Sequence, residues 1–129
     1  KRFCEPSVFA WLSRNTENVR RYESDPHCGF SFTIGGIHAL LTVNARANSA
    51  RCCQETPDLP ILLISGAEDP VGDYGEGVRR VYNLYKDAKK SDVTLKLFED
   101  DRHEILNETD STTVLRYLGD WIDRRFGVA

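Results

Sequence analysis

Two short apolar runs mark the second half of the chain, and each ends at a turn. The first is unbroken: Ile61, Leu62, Leu63 and Ile64 lie between Pro60 and Gly66. That pattern predicts a strand buried on both faces, as in a parallel sheet covered by helices. The second alternates, with Val93, Leu95 and Leu97 set against Thr94, Lys96 and Phe98. It predicts a half-exposed strand nearer the edge of the sheet. Between the two, Val78, Val81, Tyr82 and Tyr85 recur at i, i+3, i+4 and i+7. They form one face of an amphipathic helix over residues 76–90, with Arg79, Arg80, Lys86, Lys89 and Lys90 on its solvated side. Further on, Val114, Leu115, Leu118, Trp121, Ile122 and Phe126 predict a terminal helix with Asp110 or Ser111 as its N-cap. Strand, helix, strand and helix in that order make a right-handed parallel crossover, so the expected fold class is α/β.

The first half reads differently. Val8, Phe9, Leu12 and Val19 give a loose helical pattern over residues 6–21, with Ser7 as its expected N-cap. A breaker cluster follows at Asp25-Pro26-His27-Cys28-Gly29. Ile37, Leu40, Leu41 and Val43 then supply a second apolar helix face, opened by Gly35-Gly36. With Phe3, Trp11, Tyr22, Phe30 and Phe32, residues 1–48 read as a helical hairpin whose aromatics fill its own small core. The competing reading makes them a lid over an apolar site. Residues 45–59 lose periodicity and end in Pro57-x-x-Pro60, the expected junction between a helical part and an α/β part.

A chain of 129 residues has room for one domain with a real core. Seventeen basic against 20 acidic residues leave a net charge of −3 and no basic stripe, which excludes the usual footprint of a nucleic-acid binder. The aliphatic run at residues 61–64 is far too short to span a bilayer, so no transmembrane segment is expected. The chain opens Lys1-Arg2-Phe3 with no signal-peptide pattern and contains no Met, which suggests a cropped or processed segment. Cys4, Cys28, Cys52 and Cys53 show no CxxC and no zinc spacing. They are expected as free thiols in a reducing, cytoplasmic compartment.

The chemistry gathers where the two strands stop. Asp69 follows the first, in Gly66-Ala-Glu-Asp-Pro70, and His103 follows the second, in Asp101-Arg-His-Glu104. In parallel sheets that rim is where ligands sit. A histidine supplies a proton carrier near neutral pH, and a carboxylate on its second nitrogen fixes the tautomer and stabilises the imidazolium. Taken singly, a loop histidine is more often solvated, and Asp-Pro is a common turn opener. Three rival motifs fail. His103-Glu-Ile-Leu-Asn107 has Asn where a zinc protease needs His, and no other metal site is expected. The loop over residues 68–76 places Pro70 and Val71 where a calcium loop needs ligands. Its glycines fit neither GxxxxGK[ST] nor GxGxxG, and no cofactor is expected. Nor does any serine stand in the Gly-x-Ser-x-Gly frame of a nucleophile elbow.

On these residues the chain resembles the C-terminal part of an alpha/beta-hydrolase of the bacterial lysophospholipase and monoacylglycerol-lipase-like group, of the serine aminopeptidase S33 type. The segments that carry the likeness are residues 59–78, around Asp69-Pro-Val-Gly72, and residues 95–108, around His103-Glu-Ile-Leu-Asn107-Glu108. Phe9-Ala-Trp11-Leu12 and Asp25-Pro26-His-Cys28-Gly29-Phe30 resemble that group's cap with less specificity. The resemblance implies a cap at 1–48, a connector at 49–59 and the C-terminal part of the hydrolase core at 60–129. It makes Asp69 the triad acid, His103 the triad base and Val71 a lining residue of the acyl pocket. The substrate would be an acyl ester or lipid. The elbow serine, the oxyanion donors and the earlier strands would lie upstream of Lys1, leaving this chain inactive alone.

Two functions of different kind follow. One is a serine hydrolase of carboxylic esters, of which this is the cap and C-terminal part; acyl transfer or perhydrolysis on the same fold stays open beside it. The other is a non-catalytic binding or assembly module derived from that fold. A strand at residues 60–65 with no neighbour on its far side would be a bare, uncharged edge, and self-association through it is expected.

Overall fold

The computed structural model of the chain describes residues 3–127. Five helices and two strands run in the order α1 (Thr16–Ser24), α2 (Ile34–Ala47), α3 (Ala50–Glu55), β1 (Ile61–Gly66), α4 (Glu76–Asp87), β2 (Val93–Phe98) and α5 (Ser111–Phe126). The strands pair in parallel with Ile61 opposite Val93 and Gly66 opposite Phe98. With α4 as the crossover, this is the expected α/β unit.

Alternation along β2 sorts its neighbours. Leu97 faces the start of α4, where Gly75 sits at φ 87° and a Cβ would lie 2.6 Å from Leu97 Cδ1. Phe98 faces α5 with Ile64, and packs with Ile105 and Val114 in the central cluster. The polar residues on that second face are half-buried, in keeping with a half-exposed strand, and they are partnered. Thr94 Oγ1 accepts the Trp121 indole N–H at 3.1 Å, and Lys96 Nζ lies 5.3 Å from the Phe98 ring centroid. Arg125 stacks on Trp121 and forks onto both Asp92 oxygens. β1, expected to be buried on both faces, is half-buried except at Gly66, because β2 is its only strand neighbour among the described residues.

The helical part departs further from expectation. The first helix starts at Thr16, not near Pro6. Asn15 is its N-cap, accepting from the Glu17 and Asn18 amides, while Ser7 Oγ closes a local turn on Phe9 N. Nor does a hairpin core form among the described residues. No residue of α2 is buried, and Phe30, Phe32, Ile34, Leu40, Leu41 and Val43 are exposed. Thr33 caps α2 through Gly36 N, so Gly35 and Gly36 stand inside its first turn. The junction expected to be irregular holds α3. Ser49 caps it, Cys53 is buried from it, and the Lys90 ammonium bonds the carbonyls of Gln54 and Thr56 at its end. A helix this short shows no periodicity to read.

Candidate active site

Both site-bearing loops start at the C-terminal end of the sheet, and they interlock. The chain after β2 crosses directly over the end of β1. A Cβ on Gly66 would lie 2.1 Å from the Asp101 carbonyl oxygen, so only glycine fits. Two amides of the acid loop are bonded there: Ala67 N donates to Phe98 O at 2.8 Å and Glu68 N to Asp101 O at 2.9 Å.

Asp69 is buried, 5% exposed. Its Oδ1 accepts the Val71 amide at 2.8 Å, an Asx turn set by Asp-Pro, and its carbonyl accepts Tyr74 N at 2.8 Å. Two residues in the left-handed region, Asp73 and Tyr74, both at φ 53°, bend the loop back into α4. The remaining carboxylate oxygen, Oδ2, stands 3.0 Å from His103 Nδ1. With Nδ1–H donating to a buried carboxylate, Nε2 on the far side of the ring is the nitrogen left for proton transfer. The His103 side chain is 39% exposed. The structure therefore brings together the two residues that the sequence placed at one rim. The Val71 side chain is exposed on the acid loop and lines a groove with Leu63, Gly72, Val78 and Val81.

Two of the acids around His103 are buried. Glu108, 3% exposed, accepts Arg102 N at 2.9 Å and Arg14 N at 2.9 Å. Asp101, 1% exposed, accepts from Arg14 Nη2 at 2.6 Å. Burial raises the Asp101 pKa, with the Arg14 hydrogen bond working against the shift. Arg102 reaches the other way, to Glu5, whose carboxyl it holds below the ordinary range. Trp11 lies against the His103 ring, centroids 5.2 Å apart. Sequence reasoning did not single out Arg14, Arg102 or Glu108, and read Trp11 only as part of the aromatic cap. The one local signal was Glu108, an acid just ahead of the α5 cap.

No group of three or more His, Cys, Asp or Glu among the described residues is placed to hold a metal ion. No described helix is long and apolar enough to cross a membrane.

A parallel crossover whose two strand ends deliver a joined Asp–His pair fits the α/β-hydrolase class. Residues 3–110 match the family described as serine aminopeptidase, S33, and the chain belongs to that family. It is similar to the monoglyceride lipase of Homo sapiens, 29% identical over an alignment of 123 residues that covers 92% of this chain. Among solved structures it is similar to a highly thermostable carboxyl esterase from Bacillus coagulans in complex with glycerol, at TM-score 0.78 and 25% identity over 93% of this chain. A lipase in its open form aligns at TM-score 0.78 and 31% identity over 88% of this chain. The chain spans 38% of the length of the human relative, and 41% and 37% of the two solved chains.

Proposed function

We propose that this chain is the acid-and-histidine part of a serine hydrolase that cleaves carboxylic esters carrying an acyl chain. The observation that carries the reading is the 3.0 Å contact between Asp69 Oδ2 and His103 Nδ1 at the C-terminal rim of the sheet. His103 Nε2 takes the proton of a hydroxyl nucleophile and later returns it to the leaving alkoxide. Asp69 keeps Nδ1–H in place and offsets the imidazolium charge in a buried setting. Val71 lines the acyl side of the site. The nucleophile and the oxyanion donors come from outside these 129 residues, so the chain alone is inactive. The lipase and esterase relatives support the ester class. The four unpaired cysteines suit a reducing, cytoplasmic setting. The test is turnover of a p-nitrophenyl ester series, with fluorophosphonate labelling, on this chain and on a longer product of its reading frame. The long form should label and turn over, the short form should do neither, and His103→Ala should abolish turnover. Labelling of the 129-residue chain itself would refute the assignment.

A second reading, an assembly module, has its own support in β1. That strand offers Ile61–Gly66, without charge, along an edge that pairs with no strand among the described residues. A second copy of the chain pairing there would satisfy the open backbone groups. Sedimentation at high micromolar concentration should show a dimer, and a stable monomer would remove this reading.

A further inference from the structure

One hydrogen bond fixes a point rather than a plane. Asp69 Oδ2 anchors Nδ1 of His103, but an imidazole held only there can rock about the contact and carry Nε2 away from its target. The structure supplies a second constraint from a distant part of the chain. The Trp11 ring lies against the imidazole with centroids 5.2 Å apart and planes at 51°, a tilted aromatic contact. The same residue holds the main chain of the histidine, since Trp11 O accepts His103 N at 3.4 Å.

Its neighbours extend the grip. Leu12 O accepts Glu104 N at 2.8 Å, and Arg102 Nη1 donates to Ala10 O at 2.6 Å and to Ser13 O at 3.3 Å. Four successive carbonyls, those of residues 10, 11, 12 and 13, thus each accept from residues 102–104. Buried Glu108 ties the two segments together through the amides of Arg14 and Arg102. Trp11 sits mid-row and is the member whose side chain meets the imidazole.

We propose that Trp11 is a positioning residue for His103, fixing the plane of the imidazole so that Nε2 is held on one line of attack. This rests on the hydrolase reading of His103 for its consequence, but not for its geometry. A proton acceptor displaced by about 1 Å from its hydroxyl loses up to a hundredfold in rate, so the constraint acts on the chemical step rather than on binding.

The first test uses the 129-residue chain, isotopically labelled, with the His103 ring signals identified by their loss in His103→Ala. In Trp11→Leu the Nδ1–H proton of His103 should be lost to exchange, and its ring protons should move toward those of the exposed His27 and His38. The amides of β1 and β2 should stay in place, and Trp11→Phe should keep the Nδ1–H signal. Cross-relaxation between the Trp11 indole and the His103 ring in the unsubstituted chain needs no variant, and its absence overturns the proposal. In a longer, active product of the reading frame, Trp11→Leu should lower kcat by about ten- to a hundredfold at unchanged KM, with Trp11→Phe restoring most of it. Retention of the Nδ1–H signal in Trp11→Leu, or a change in KM alone, overturns the role of Trp11 and leaves the ester reading standing. A long form that never turns over an ester sinks the hydrolase reading, while the ring signals still decide on Trp11.

Discussion

Gly66 stands where the His103 loop crosses the end of β1, and Gly66→Ala tests whether that crossing sets the position of the histidine. An added methyl carbon would meet the backbone oxygens of Asp101 at 2.1 Å and Arg102 at 2.2 Å. Contacts below 3.0 Å are essentially never seen for a Cβ, so the loop must withdraw by about 1 Å. Neither obstacle is a flexible side-chain tip; both carbonyls belong to the peptide units flanking Arg102. Withdrawal strains the 2.9 Å bond from Glu68 N to Asp101 O and pulls His103 Nδ1 away from Asp69 Oδ2. Overpacking of this kind costs about 1–3 kcal/mol. A weakened backbone hydrogen bond adds about 1 kcal/mol, for a total of about 2–4 kcal/mol.

That loss is a large share of a domain stability of about 5–15 kcal/mol, yet small enough for the variant to fold. Urea unfolding followed by tryptophan fluorescence and far-UV circular dichroism measures it. Gly119→Ala is the matched control, because a Cβ there meets nothing within 4 Å and the position lies inside α5. It should stabilise by up to about 1 kcal/mol through helix propensity alone. Amide spectra should place the disturbance of Gly66→Ala at residues 66–69 and 101–104. Equal stability of Gly66→Ala and the parent, with the His103 signals unmoved, would refute the argument.

Substitutions at Glu108 probe a support of the same loop, and one at Arg125 probes the start of β2. Glu108→Ala leaves the amides of Arg14 and Arg102 buried without their acceptor and should cost about 2–5 kcal/mol in urea unfolding, while Glu108→Gln, which keeps one oxygen, should cost less. A loss under about 0.5 kcal/mol for Glu108→Ala would mean that water or a shifted side chain replaces it. Asp92 is held below its ordinary pKa by the hydrogen-bonding fork of Arg125, so its stabilisation is present above the unfolded carboxyl pKa and is lost as pH falls through the folded value. Glu5 adds a contribution of the same sign through Arg102, whereas Asp101, raised by burial, contributes stability that is lost as pH rises. Arg125→Gln should therefore flatten the fall in urea midpoint as pH drops below about 4, and an unchanged slope would remove Asp92 from the account.

The parts of the site that were legible in sequence are those encoded by neighbours along the chain. An apolar run stops at Gly66, Asp-Pro turns, and Asp69 stands just past a strand end; Leu97 and Phe98 end β2 shortly before His103. Period-2 and period-3.6 patterns locate such ends without knowledge of the rest of the fold. The segment that grips His103 was illegible for the opposite reason. Its contacts are made largely by backbone carbonyls, which every residue type carries, and they join residues 10–13 to residues 102–104. The same contacts explain the late start of α1. Ser7 and Asn15 are both competent caps, but bonds from Arg102 and Glu108 hold the chain irregular up to Arg14, and Asn15 is the first cap beyond that grip.

Periodicity names a face but not what covers it, and α2 is the clearest case. Ile37, Leu40 and Leu41 do form a helix face, yet α1 leaves it open because α1 is committed to the His103 loop. Asn18 of α1 donates to Glu104, and Asn15, its cap, donates to the Asn107 carbonyl. α1 thus turns its polar row, Asn15 and Asn18, to the His103 loop. The early part of the chain therefore divides by what it contacts rather than by helix count. Residues 10–18 bond the His103 loop, while Asn44 of α2 and its C-cap Asn48 line the Val71 groove. On that division, substitutions in the segment that bonds the loop should act on His103 geometry and rate, whereas substitutions on α2 should leave the Asp69–His103 contact intact and act on what the groove admits.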